Sequence, residues 1–129
     1  IGGGAGCGGC HRPPEFDIDP NSLNNGVIGA IAGGNDLIVT RSPSLRDIVK
    51  ADGSANGPFM HTGSSSQLMT VIEHYNQINL TGNNNLDPRL RPGGKPQNLN
   101  LTQQEKDAIV AFIRTLAGAS VYTDKKWSD

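Results

Sequence analysis

With 129 residues the chain is sized for one domain around one core. Apolar residues supply 35% of it and aromatics 5%, while 17 glycines and 8 prolines favour irregular backbone, so a core this lean gains from a buried apolar cofactor. The formal net charge of −1, with 11 basic and 12 acidic residues scattered along the chain, excludes the basic stripe that phosphate backbones attract, and no nucleic-acid partner is expected.

No run approaches the roughly 20 apolar residues needed to span a bilayer, so no membrane span is expected. The sequence opens at Ile1 without an initiator methionine or a charged-then-apolar leader. The expectation is therefore a processed product or a piece of something longer.

The first motif is Cys7-Gly8-Gly9-Cys10-His11, which reads C-x-x-C-H. Two cysteines at this spacing can each form a thioether to one vinyl group of a single porphyrin, and the adjacent histidine reaches the iron from the proximal face. One covalently attached haem c is thus the expected cofactor, with His11 as a metal ligand. A structural zinc site usually takes four protein ligands, and beyond Cys7 and Cys10 the sequence offers only His11, His61 and His74. A thioredoxin-like pair expects a preceding strand, whereas the flank here is Gly2-Gly3-Gly4-Ala5-Gly6. Covalent haem attachment in bacteria takes place outside the cytoplasmic membrane, which implies an exported, periplasmic setting.

From Arg12 to Thr40 the pattern is loop-like, interrupted by Pro13-Pro14, Asn24-Asn25-Gly26 and Gly33-Gly34. Val27-Ile28 and Leu37-Ile38-Val39 are short apolar pieces suited to covering haem edges or to a brief strand. Ser42-Pro43 predicts the start of a short helix with Leu45, Ile48 and Val49 on one face, ending before Asp52-Gly53. Gly57 to Gly63 reads as an ordered loop. After Ser64 to Ser66 a second helix is predicted, with Leu68, Val71, Ile72, Tyr75 and Ile78 on its inward stripe. Thr102-Gln103-Gln104-Glu105 is a capping box opening a third helix, whose apolar face is Ile109, Phe112, Ile113 and Leu116 and whose end is marked by Gly118. Residues 119–129, including Trp127, read as a tail behind a core of about residues 5–118. There is no internal repeat.

The sixth iron ligand has several candidates. An inward tyrosine on an amphipathic helix is more often a core residue than a ligand. Met60 is a rival, because thioether ligation from a loop well downstream of C-x-x-C-H suits an electron-transfer cytochrome; packing on the porphyrin is its other role. Met69 reads as core and His74 as solvated. His61 suits ordering its loop or reaching a propionate.

The order of motifs narrows this choice. C-x-x-C-H is followed by Arg41-Ser42-Pro43-Ser44-Leu45-Arg46-Asp47, then Pro58-Phe59-Met60-His61-Thr62-Gly63, then Leu86-Asp87-Pro88-Arg89-Leu90 and the closing helix. Across nearly the whole chain this resembles the C-terminal haem domain of the bacterial di-haem cytochrome c peroxidase family, which includes MauG-type enzymes that oxidise tryptophans of a partner protein. The resemblance implies a mainly α, cytochrome c-like haem domain with long irregular loops, here without the usual N-terminal helix. It implies a six-coordinate haem whose distal position falls fourteen residues after His61, at Tyr75. Methionine occupies that position in the peroxidase branch and tyrosine in the MauG branch, so this chain resembles the latter. By the same resemblance Arg46 pairs with a propionate. A second C-x-x-C-H is missing from the sequence, so a complete di-haem peroxidase is not expected from this chain alone. The function so implied is electron transfer beside a second haem domain or a redox partner protein. A free-standing His/Met shuttle, or a domain that itself reacts with peroxide, is the alternative.

Overall fold

The computed structural model describes residues 5–16, 21–37, 41–118 and 125–127. The strongest local signal builds the longest element. In helix α2, Gln103–Arg114, the Thr102 side chain accepts a hydrogen bond from the Glu105 amide while the Glu105 side chain accepts from the Thr102 amide, the reciprocal box that the sequence predicts. The helix closes at Thr115, whose hydroxyl donates to the Phe112 carbonyl at 2.6 Å, three residues earlier than Gly118. Helix α1, Leu68–Asn76, follows an extended Gln67 that provides no side-chain cap. It stops where Gln77 turns extended and bridges to Asn98, so Ile78, expected on the helix, is buried beyond its end.

The apolar faces of the two helices meet. Leu68, Ile72 and Ile113 are buried together with Val49, flanked by Ile48, Phe59, Val71, Ile109, Val110 and Phe112. Phe16, from the turn after the cysteine motif, sets its ring edge-on to Phe112 with centroids 5.8 Å apart. Lys106 Nζ reaches Glu73 Oε1 at 2.7 Å across the helix pair. The chain also forms a small antiparallel hairpin, β1 (Gly29–Ile31) and β2 (Gly34–Asp36), with Ile31 opposite Gly34 and Gly29 opposite Asp36. Gly33, at φ 90°, supplies the left-handed residue that its turn requires.

The expectation of a mainly α, cytochrome c-like domain does not hold. Among the described residues only α1 and α2 are α-helical; the hairpin, isolated bridges and short 3₁₀ turns make up the other recognisable elements. The helix predicted from Ser42 is absent. Ser44 Oγ accepts from the Arg46 amide in a local turn, Asp47 adopts a left-handed φ of 64°, and Val49 bridges to Ala55. The amides of that segment bond far away instead, Leu45 to the Phe16 carbonyl at 3.0 Å and Asp47 to the Leu116 carbonyl at 3.2 Å. Tertiary partners override the local signal there. Ile48 and Val49 still reach the core, from a turn rather than from a helix face. Of the apolar pieces between Arg12 and Thr40, Ile38 and Val39 lie outside the described residues, as does most of the tail beyond Gly118.

Candidate haem site

The cysteine motif folds into a tight 3₁₀ turn over Cys7–Gly9, entered through Gly6 at a left-handed φ of 68°. The amides of Cys10 and His11 both donate to the Cys7 carbonyl, at 3.2 and 2.8 Å. Neither cysteine is in a disulfide, and both are half-buried. Burial pushes the Cys7 thiol above its ordinary range, so it stays protonated at neutral pH. Burial likewise holds the His11 imidazole below its ordinary range, offset in part by the carbonyls of Pro43 and Phe16, and the neutral ring is the form that binds a metal. His11 Nδ1 is buried with no hydrogen-bond partner. A buried polar atom left unpaired is costly and uncommon, and this one sits on the ligand that the motif supplies.

The two candidate distal ligands share one neighbour. Asn25 Nδ2 stands 3.4 Å from the Tyr75 hydroxyl and 3.7 Å from Met60 Sδ. Its orientation is set at the other end, where Asn25 Oδ1 accepts from the Val27 amide at 3.1 Å. Asn25 is also held through its carbonyl, which lies 2.8 Å from His74 Nε2; a carbonyl can only accept, so Nε2 carries the proton. His74 is half-buried and packs its ring edge-on against Tyr75 at 5.1 Å, rather than facing solvent. Burial pushes the Tyr75 phenol up to about 12; the Asn25 hydrogen bond opposes this, and Cys10 and Cys7 add to it. Met60 sits at the tip of a turn closed by Phe59 and Ser65, with its own φ at 65°. A non-glycine residue in that region is held there by its surroundings.

Beneath the turn is a polar hub that sequence reasoning missed. Asn24 and Asn83 are 0% and 1% exposed, and Asn83 Nδ2 donates to Asn24 Oδ1 at 2.7 Å. Asn24 Oδ1 also accepts from the Gly26 amide, and the Asn24 carbonyl from the Asp87 amide. Asp87, 2% exposed, takes the Leu23 amide on Oδ2 and a two-pronged contact from Arg89. In the sequence the hub shows as the Leu86-Asp87-Pro88-Arg89-Leu90 segment, to which the sequence assigns no role, and as the asparagines Asn24-Asn25 and Asn83 to Asn85, which look like loop punctuation.

Arg89 beside it, with the Leu23 amide, holds the Asp87 carboxyl down to about 2, against an ordinary value of 3.8. Because the folded value lies below the unfolded one, the stabilisation is complete above about pH 4 and is lost as pH falls towards 2. The shift corresponds to on the order of 2 kcal/mol. The urea midpoint of the wild type is expected to drop across that window. An Asp87→Asn variant, already weakened at neutral pH, is expected to show a flatter profile there.

The remaining predicted residues are placed as follows. Arg46 Nη2 donates to the Pro14 carbonyl at 2.8 Å and Nε lies 3.2 Å from Glu15, so it braces the chain just after His11 from a largely exposed position. His61 Nε2 is 3.8 Å from Asp36 Oδ2, against the hairpin. Met69 lines an open cleft of about 450 Å³ with Val49, Leu68, Val110 and Arg114, and Cys7, Cys10, His11, Met60 and Tyr75 take no part in that lining. Among the described residues no group of three or more His, Cys, Asp or Glu side chains could hold a bare metal ion, and no helix is long and apolar enough to cross a membrane.

The methylamine utilization protein MauG of Methylophilus methylotrophus is 33% identical over 81 residues, 63% of this chain and 21% of that protein. MauG of Methylorubrum extorquens is 29% identical over 123 residues, 88% of this chain and 31% of that protein. Cytochrome-c peroxidase IdrP1 of Denitromonas iodatirespirans is 35% identical over 77 residues, 60% and 17% of the two chains. The crystal structure of a MauG-like protein associated with microbial copper homeostasis superposes with a TM-score of 0.62 at 25% identity, over 97% of this chain and 46% of that one.

The chain is similar to MauG proteins and to a cytochrome-c peroxidase. No family model matches it. The matched segments make up between 17% and 31% of the length of these MauG and peroxidase relatives, so the chain corresponds to a part of them. The fold overlap with the MauG-like structure extends over the irregular loops, which is where this chain departs from the mainly α expectation.

Proposed function

We propose that the chain is a c-type haem electron-transfer domain, residues 1–129, which holds one haem covalently through Cys7 and Cys10. His11 serves as proximal ligand and Tyr75 as distal ligand. The observation that carries this reading is the buried, unpartnered Nδ1 of His11 beside Cys7 and Cys10, neither of which is in a disulfide.

When bound, the haem supplies one-electron iron chemistry. The protein's own groups set its conditions. Cys7 and Cys10 fix the porphyrin covalently, and the neutral His11 ring offers a lone pair. Tyr75 stays a phenol at neutral pH because burial outweighs the Asn25 hydrogen bond, and a cation facing its oxygen would reverse that preference. As a hard anionic ligand it favours the oxidised state, which suits storing oxidising equivalents more than shuttling electrons rapidly. Asn25 keeps a donor on the phenolic oxygen.

The second reading, a His/Met shuttle, is supported by Met60 Sδ facing the same Asn25 amide. In either case the partner is a redox protein or a second haem domain on another segment, in the periplasm or another exported setting. An Arg46 contact to a propionate belongs to the same proposal.

Protein produced in a host that matures c-type cytochromes is expected to keep its haem through acid–acetone extraction. Cys10→Ala is expected to leave a single thioether, visible as a displaced pyridine haemochrome band. Haem that extracts fully from the wild type would overturn covalent attachment.

A further inference from the structure

The Arg89 side chain joins parts of the chain that the sequence keeps 80 residues apart. Its Nη1 donates at 2.7 Å to the carbonyl of Gly9, which lies between the two cysteines. Nε and Nη2 meanwhile donate to Asp87 Oδ1 at 2.9 Å and Oδ2 at 2.8 Å. Asp87 is itself immobilised, since its oxygens also accept from the backbone amides of Leu23 and Arg89, and its own amide donates to the Asn24 carbonyl. The guanidinium is therefore anchored at one end to a nearly inaccessible carboxylate and touches the cysteine turn with the other.

That turn needs an external hold. Cys7 and Cys10 are separated by two glycines and preceded by a third, and a Cβ built at Gly6 or Gly8 meets nothing within 4 Å. Glycine loses more conformational freedom on ordering than any other residue. The turn's own hydrogen bonds, from Gly9 to Gly6 and from Cys10 and His11 to Cys7, fix its shape without tying that shape to the body of the protein. At Gly9 the neighbour is Arg89 itself, whose Cδ lies 3.6 Å from where a Cβ would stand.

We propose that Arg89 is the positioning residue of the haem anchor: by holding the Gly9 carbonyl from the buried Asp87, it sets how Cys7, Cys10 and His11 are presented on the protein. This rests on reading those three residues as the haem attachment. Arginine is required because a planar fork can give Asp87 two donors and still reach Gly9 with a third, whereas lysine offers one nitrogen.

The test compares wild type, Arg89→Lys and Arg89→Ala by amide hydrogen exchange and by ferric EPR, with helix content and urea midpoint recorded alongside. Lysine keeps the charge and can keep the Asp87 pair, so it carries the test if the alanine variant fails to fold. In Arg89→Lys the amides of Cys10 and His11 are expected to exchange roughly tenfold faster than in wild type, beyond any change in the α1 and α2 amides. The EPR signal of the His11-ligated iron is expected to broaden, and lysine is not expected to restore it. Wild-type exchange and EPR in Arg89→Lys would overturn the proposal. So would acceleration spread evenly over the whole chain, which marks a purely structural role. If the wild type carries no haem, the EPR is silent and the haem reading fails, while the exchange comparison still decides the positioning role.

Discussion

Replacing Tyr75 with phenylalanine is expected to change the spin state of the ferric protein and to raise its reduction potential, because the substitution removes the hydroxyl and little else. Tyr75 is packed against His74 and its hydroxyl has Asn25 as its partner, so the phenyl ring keeps the packing and only the oxygen is lost. Taking an anionic ligand away destabilises Fe(III) relative to Fe(II). A rise on the order of 0.1 V is expected, within the ~0.8 V range that axial ligation commands. The wild type is expected to lack the methionine–iron charge-transfer band. If that band is present and survives in Tyr75→Phe, Met60 is the ligand, and the domain is an ordinary electron carrier. The two outcomes separate cleanly because Met60 and Tyr75 approach the same amide from different segments, 15 residues apart in sequence.

The second large effect is on folding. Asp87→Ala is expected to lower stability by about 3–5 kcal/mol, since it strips the Arg89 guanidinium of both its prongs and leaves the Leu23 amide without its acceptor. Typical domains have only about 5–15 kcal/mol in total, so the variant is expected to unfold at much lower urea than wild type. Circular dichroism against urea measures this directly. A loss below about 1 kcal/mol would mean that the hub is held by Asn24 and Asn83 without the ion pair. Asp87→Ala and Arg89→Lys therefore probe different things, the former the hub and the latter its reach to Gly9.

What was legible in the sequence depended on how locally it was encoded. C-x-x-C-H stands out because two cysteines and a histidine, the residue types that covalent haem attachment takes, occupy five consecutive residues. Helix α2 was readable because a capping box and an apolar face at helical spacing coincide between Thr102 and Ile113, and α1 because its stripe repeats from Leu68 to Tyr75. Ser42-Pro43 shows the limit of the same signals. A cap followed by apolar residues predicted a helix, but Asp47 turned left-handed and the local amides found partners at Phe16 and Leu116. The mainly α expectation overstated the helix content partly for this reason. The hairpin at Gly29–Asp36 shows in the sequence only as Gly33-Gly34 within a loop-like stretch.

By itself, then, the sequence determined where the C-x-x-C-H motif and the two helices lie, because each is encoded by residue type at short spacing, while Tyr75 entered as a candidate ligand only through the resemblance. Only the tertiary structure decided that Tyr75 and Met60 share Asn25, that Asn24, Asn83 and Asp87 make a buried polar hub, and that Arg89 reaches back to Gly9. Those contacts join residues 35 to 80 positions apart, and a hydrogen bond across such a separation leaves no periodicity in the chain. It is created when folding brings the two segments together and their polar groups pair.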